Sequence, residues 1–189
     1  RQLDDSKPKY INTGDTIVYK KTNELFSLNF AKDSGKSTLI LCEGYMDVIA
    51  MNQAGFTNAV AGCGTALTGE QVQLISRYAD EVVLAYDADE AGQKAVQKAM
   101  RMFKNVDVNV RVPKLQYGKD PDEIIKNVGA EKFAAMIDGA TNETEYKLLN
   151  LRNKFQLNTT QGKIDFMNGA VEILADSPPI EQDIYLSLI

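Results

Sequence analysis

Leu39-Ile40-Leu41-Cys42-Glu43 and Val82-Val83-Leu84-Ala85-Tyr86-Asp87-Ala88-Asp89 are two apolar runs that each end in carboxylates. A short apolar run bounded by polar residues reads as a strand buried on both faces of a parallel sheet. In such a sheet the carboxyl ends of neighbouring strands open onto one crevice, where ligands bind. Glu43, Asp87 and Asp89 are therefore expected at one spot although they lie far apart in the chain. Anions crowded together repel unless something positive sits between them. A hard divalent cation is the simplest answer, and phosphoryl transfer is the chemistry that most often uses one.

Around these runs the chain alternates strand and helix. Strand Thr38–Cys42 leads to a helix over 45–54, closed by Gly55, and a strand over 58–61 runs into the loop Gly62-Cys63-Gly64-Thr65. Thr68 caps a helix through Tyr78, with Glu70 and Gln71 in its first turn. A strand over 81–86 precedes a helix over 90–103, and a strand over 106–112 stops at Pro113. Repeated βα units imply right-handed crossovers and a parallel sheet covered by helices. After Pro121 only helical patterns remain, over 121–128, 130–138, 142–156, 160–175 and 180–189, broken at Gly129, Gly139 and Pro178-Pro179. Before residue 37, Lys9-Tyr10-Ile11 and Thr16-Ile17-Val18-Tyr19 are β-prone pieces around the turn signal Asn12-Thr13-Gly14-Asp15. The expected fold is α/β: a parallel sheet of about four strands flanked by helices. A short β-rich N-terminal part (1–36), a sheet domain (37–128) and a helical part (129–189) divide it.

Composition narrows the chemistry. The 189 residues include no histidine, which removes histidine bases and triads, and two cysteines, too few for a zinc finger. Cys42 and Cys63 read as free thiols of a reducing compartment. No apolar run reaches the length of a membrane span and no signal-peptide pattern is visible, so a membrane partner is not expected. Net charge is −5, but the first 36 residues carry seven basic against five acidic side chains, leaving an acidic body behind a mildly basic arm. Starting at Arg1 without methionine, the chain reads as a piece of a longer protein.

Each acid has an ordinary reading beside the functional one. Glu43, followed by a glycine that lets the backbone turn, also reads as an exposed loop acid. Asp47 falls in the first turn of the next helix, where it complements the helix dipole. Asp87 and Asp89, spaced i, i+2, project to one side if the backbone stays extended. Asp89 equally reads as a helix cap, which is compatible with metal binding but leaves Asp87 unexplained. In Gly118-Lys119-Asp120-Pro121-Asp122-Glu123, Pro121 suits a first helical position and makes Asp120 the cap. Gly35-Lys36-Ser37 mimics the end of a P-loop, but Phe30 occupies the required glycine position and a strand follows. Gly62 and Gly64 offer backbone N–H groups to a phosphate, or simply form a tight turn.

A strand ending in Glu and a later strand ending in Asp-x-Asp resembles the TOPRIM domain of primases, topoisomerases and some nucleases. Glu43-Gly44-Tyr45-Met46-Asp47-Val48, Gly64-Thr65-Ala66-Leu67-Thr68, Tyr86-Asp87-Ala88-Asp89-Glu90-Ala91-Gly92 and Asp120-Pro121-Asp122 together resemble the bacterial replicative primases of DnaG type. Pro8-Lys9-Tyr10-Ile11-Asn12 and Lys21-x-x-Glu24-Leu25-Phe26 are similar to the end of that family's N-terminal core subdomain. The resemblance implies RNA primer synthesis from nucleoside triphosphates on a single-stranded DNA template, in the bacterial cytoplasm at the nucleoid. It implies Mg²⁺ or Mn²⁺ held by Glu43, Asp87 and Asp89, joined by Asp120 and Asp122 and supported by Asp47. Lys9, Tyr10, Lys21 and Arg1 fall on positions that handle template and nucleotide, with Gly64 and Thr65 as further nucleotide contacts. Zinc and the replicative helicase belong to family domains outside this chain, so primer synthesis by this stretch alone is not expected. The rival readings are a TOPRIM nuclease or topoisomerase, for which none of the eight tyrosines is marked as nucleophile, and a non-catalytic nucleotide- or metal-binding module.

Overall fold

The computed structural model describes residues 14–188, so Arg1, Lys9, Tyr10 and the β-prone piece around them lie outside the described residues. The chain forms two compact units, one ending at Gly139 and the other beginning at Ala140.

The first unit is built on β2 (Thr38–Cys42), β3 (Ala59–Gly62), β4 (Glu81–Leu84) and β5 (Asn109–Val112), preceded by the two-residue β1 (Leu25–Phe26). Its strand order is β1-β3-β2-β4-β5. The four longer strands pair in parallel, and β1 joins the β3 edge antiparallel. Leu39, Ile40 and Leu41 of β2 and Val82, Val83 and Leu84 of β4 are all buried, as unbroken apolar strands covered on both faces must be. Between the strands run α2 (Tyr45–Gln53), α3 (Gly69–Ile75) and α4 (Glu90–Phe103). Helix α4 turns Val96, Ala99, Met100 and Phe103 inward at helical spacing while its lysines stay outside. Helix α5 (Pro121–Asp138) is interrupted at Gly129, whose φ of 83° and ψ of 168° are not helical, so two helical stretches meet there at the break expected from the sequence.

Two expectations fail locally. Thr16–Tyr19 is a bend rather than a strand: the Thr16 N–H donates to the Tyr19 carbonyl at 2.8 Å. Ile17 and Val18 stand fully in solvent there, so β propensity finds no sheet to join. The strand expected over 81–86 ends its ladder at Leu84, because the chain leaves the sheet toward the acidic segment. The short β1 and α1 (Leu28–Ala31) carry no periodic pattern and have no counterpart in the sequence reading.

The segment before β1 is tied down by the buried Gln71 side chain together with the Thr68 hydroxyl. Gln71 Nε2 donates to the Lys21 and Glu24 carbonyls at 3.0 and 2.8 Å, while its Oε1 accepts the Thr68 N–H at 3.1 Å. The Thr68 hydroxyl adds a bond to the Thr22 carbonyl. Gln71→Leu would strand two carbonyls and unlatch the Lys20–Glu24 strap. The expected cost is about 2 kcal/mol in urea unfolding, with faster tryptic cleavage after Lys20 and Lys21. Unchanged unfolding and cleavage rates would show that the clasp holds nothing.

The second unit contains β6 (Thr141–Asn142), α6 (Glu143–Arg152), α7 (Thr160–Ala175) and α8 (Pro179–Leu186). Leu148, Phe166, Ala170 and Leu174 form its core. No described helix of either unit is long and apolar enough to cross a membrane.

Candidate active site

Glu43 follows β2 directly, and Asp87 lies three residues past β4, the adjacent strand. Parallel pairing of Leu41 with Leu84 brings the two strand ends level. The Asp87 N–H donates to Glu43 Oε1 at 3.2 Å, which fastens one acidic exit to the other. Burial pushes the Glu43 carboxyl above its usual range, the charge of Asp87 adds to this, and Asp89 contributes a little more. The three acids expected to converge therefore feel one another, as shared placement at a strand rim requires.

The chain then turns into α4, with Asp89 as its cap: Asp89 Oδ1 accepts the Gly92 N–H at 2.8 Å. Gly92 is where the turn is tightest. A Cβ there would lie 2.0 Å from the Asp87 carbonyl oxygen and 2.9 Å from Glu43 Oε1. Only glycine lets the helix start come this close to both acids.

The Asp120 segment reaches the same place. The Ala88 N–H donates to the Lys119 carbonyl at 2.7 Å, linking the exit of β4 to the chain before α5. Asp120 Oδ1 caps α5 through the Glu123 N–H at 2.8 Å, and Pro121 takes the first helical position as its fixed φ favours. Asp122 is paired with Lys126 at 2.6 Å. Glu43, Asp47, Asp87, Asp120 and Asp122 line one polar cleft of about 450 Å³, with Lys119 and Lys126 on its border.

Asp47 is the acid most withdrawn from water, at 8 % exposed. It accepts the Gly44 N–H at 3.2 Å at the start of α2. Burial, followed by the charges of Asp120 and Asp87, pushes its carboxyl up to about 6, against opposing help from the Asp122 and Gly44 N–H groups. Its ordinary value is 3.8, so between about pH 4 and 6 the folded protein holds a proton that the unfolded chain has lost. Stability in metal-free solution therefore falls as pH rises through that window, by up to about 3 kcal/mol. Asp47→Asn should remove this penalty, gaining about 1–3 kcal/mol at pH 7.5 in chelator and flattening the pH dependence. Equal or lower stability of the variant in urea melts at that pH would refute the assignment.

The donors in this cleft are carboxylate oxygens. Cys42 stands close by, but burial, with Asp47, Asp87 and Glu43 around it, pushes its thiol well up and keeps it protonated. Oxygen-only donors suit a hard ion such as Mg²⁺ or Mn²⁺ and not zinc. Among the described residues no three His, Cys, Asp or Glu side chains form a ready-made cage. An ion bound by one or two carboxylates, waters and substrate phosphates needs no such cage. Among the other expected residues, Gly64 and Thr65 line a separate cleft that also borders Glu43, and the Lys21 carbonyl is gripped by Gln71. The sequence reading passed over Tyr86 and Lys98, which line that second cleft. For Lys98 the signal was helical spacing from Ala95 and Ala99.

Residues 40–125 match the Toprim-like domain family. The chain is 38% identical over 190 residues to the DNA primase of Clostridium acetobutylicum, a match covering 100% of this chain and 32% of that protein. The RNA polymerase domain of Mycobacterium tuberculosis primase DnaG, solved with double-stranded DNA, superposes with a TM-score of 0.84 at 28% identity, over 99% of this chain and 62% of that one. A DnaG primase catalytic domain bound to single-stranded DNA gives a TM-score of 0.75 at 30% identity, over 100% of this chain and 62% of that one. The chain spans about a third of the length of the curated relatives it matches. Sequence likeness from end to end and a shared fold, centred on a Toprim-like domain, lead to one assignment: the chain belongs to the DnaG-type DNA primase family.

Proposed function

We propose that this chain is the catalytic part of a primase that joins nucleoside triphosphates into short RNA primers on single-stranded DNA. The observation that carries this reading is the 3.2 Å bond from the Asp87 N–H to Glu43 Oε1, which unites the acidic ends of two adjacent parallel strands. Residues 37–128 are the catalytic TOPRIM domain in this reading, with 1–36 and 129–189 flanking it. Glu43, Asp87 and Asp89, joined by Asp120 and Asp122, are the groups that would hold Mg²⁺ or Mn²⁺. A bound divalent cation supplies charge neutralisation at the triphosphate and acidifies the attacking 3′-hydroxyl. The protein's own share is positional. Asp87 N–H holds Glu43 facing the rim, Asp89 fixes the start of α4, and Asp47 ties Gly44 to α2 beneath the cleft. Lys119 beside the acids offers a charge to substrate phosphate, and Lys9, Tyr10, Lys21 and Arg1 are proposed to guide template and nucleotide through salt-sensitive contacts. Zinc and the replicative helicase are assigned to regions of the longer protein outside this chain, and the protein to the bacterial cytoplasm at the nucleoid.

The test is to incubate the full-length protein with a single-stranded template, labelled nucleoside triphosphates and Mg²⁺ or Mn²⁺. Chelator-sensitive extension is expected. Cleavage of the template without extension would favour the nuclease reading, and neither product under either metal would overturn catalysis altogether.

A further inference from the structure

Glu43 lines two clefts. Besides the acidic one, it borders a cavity of about 330 Å³ walled by Thr65, Tyr86 and the Ala95, Lys98 and Ala99 face of α4. Two polar groups there have no partner among the described residues. Tyr86 is only 8 % exposed, yet its hydroxyl makes no hydrogen bond to them. No fully enclosed side-chain polar atom among these residues lacks a partner, so this hydroxyl is not sealed off, and the cavity is the cleft that Tyr86 lines. Lys98 has no ion pair, whereas Lys94, one turn earlier, is held by Glu90 at 2.5 Å.

The walls restrict what fits. Ala95 and Ala99 keep α4 low and apolar on one side, and Leu41 continues the apolar surface. A bare anion gains little from such walls and meets the Glu43 carboxylate. A ligand with an apolar, partly flat body, a hydroxyl and an anionic end satisfies all of them together. We propose that this cavity seats one nucleotide unit, with its phosphate against the Lys98 ammonium and its sugar or base edge hydrogen-bonded to the Tyr86 hydroxyl. The inference rests on the polymerase reading of the adjoining acidic cleft. Lys98 and Tyr86 are then substrate-binding residues, and Glu43 is the wall shared by the bound nucleotide and the reacting centre.

A nucleotide unit reaches such a seat either as free triphosphate or as part of a bound strand, and two binding measurements separate these sources. The full-length protein is titrated with ATP alone, and separately with a fluorescent oligothymidylate alone, so that no synthesis occurs. Lys98→Gln should weaken at least one of the two by about tenfold, a charge-assisted contact being lost. Lys98→Arg should restore it to within about twofold, Tyr86→Phe should weaken the same ligand about threefold, and Lys94→Gln should change neither. Loss for ATP identifies an incoming nucleotide, and loss for the oligonucleotide a nucleotide of the strand. Unchanged affinities in Lys98→Gln, or an equal loss in Lys94→Gln, would overturn the proposal. Neither measurement needs turnover, so a failure of the polymerase reading is detected separately, by primer synthesis that survives loss of the acids.

Discussion

Asp89→Asn in the full-length protein should leave folding stability within about 0.5 kcal/mol of the parent, because asparagine caps a helix as well as aspartate. The same variant should lose primer synthesis by more than about a thousandfold, equivalent to roughly 4 kcal/mol of transition-state stabilisation. The two readouts separate the helix cap that Asp89 forms from the ion-binding role proposed for it. Its Oδ1 accepts the Gly92 N–H at 2.8 Å, and the amide oxygen of asparagine can accept the same bond. What asparagine lacks is the negative charge, and charge neutralisation is what phosphoryl transfer demands most from its protein groups. Asp89→Ala should lose both functions, with about 1 kcal/mol of stability going with the cap. Asp87→Ala should lose synthesis to the same degree, while its backbone N–H still holds Glu43. Near-normal synthesis by Asp89→Asn would mean that the aspartate is a cap only, and the ion-binding assignment of the whole rim would fall with it.

The parts of this fold that the sequence discloses are those whose burial is symmetric. Leu39–Cys42 and Val82–Leu84 are apolar without interruption because both sheet faces are covered, and that pattern has few other readings. The acids after them are legible for the same reason, since a strand's end is known once the strand is. The edge is not legible. Leu25–Phe26 pairs with Ala61 and Gly62 over two residues, too short for any period, while the more β-prone Thr16–Tyr19 bends in solvent. Propensity alone could not choose between them, because the choice was made by the Gln71 clasp, whose partners lie some fifty positions away. Convergence of Asp120 with the other acids is equally a tertiary fact. Spacing marks Asp120 as a cap, and the Ala88–Lys119 backbone bond, with the Asp122 N–H directed at Asp47, brings that cap to the rim. Asp47 shows the limit from the other side: helix-dipole chemistry accounts for its position, but its raised pKa follows from burial and from the charges of Asp120 and Asp87, which lie far from it in the chain.

Gly92→Ala should be the most damaging single methyl group that can be added to the first unit's rim. Helix propensity favours the change, since alanine exceeds glycine by about 1 kcal/mol in a helix interior. Packing opposes it more strongly. The new Cβ would sit 2.0 Å from the Asp87 carbonyl oxygen and 2.8 Å from the carbonyl carbon, and neither backbone atom can turn aside as a side chain does. It would also lie 2.9 Å from Glu43 Oε1, on the residue whose position defines the rim. Relief requires α4 to move outward, which loosens Val96, Ala99, Met100 and Phe103 together. The expected net loss is more than about 3 kcal/mol, in the upper range for overpacking, and synthesis should vanish even at temperatures where the variant remains folded. Gly69→Ala is the matched control. It also lies in the first turn of a helix, but nothing stands within 4 Å of its added Cβ, and it should be neutral or gain up to about 1 kcal/mol. Urea unfolding and primer synthesis measured on both variants decide the matter. If Gly92→Ala unfolds like Gly69→Ala and still makes primers, α4 does not start against Asp87 and Glu43, and the closeness of the acidic strand ends is not what the proposed primer synthesis depends on.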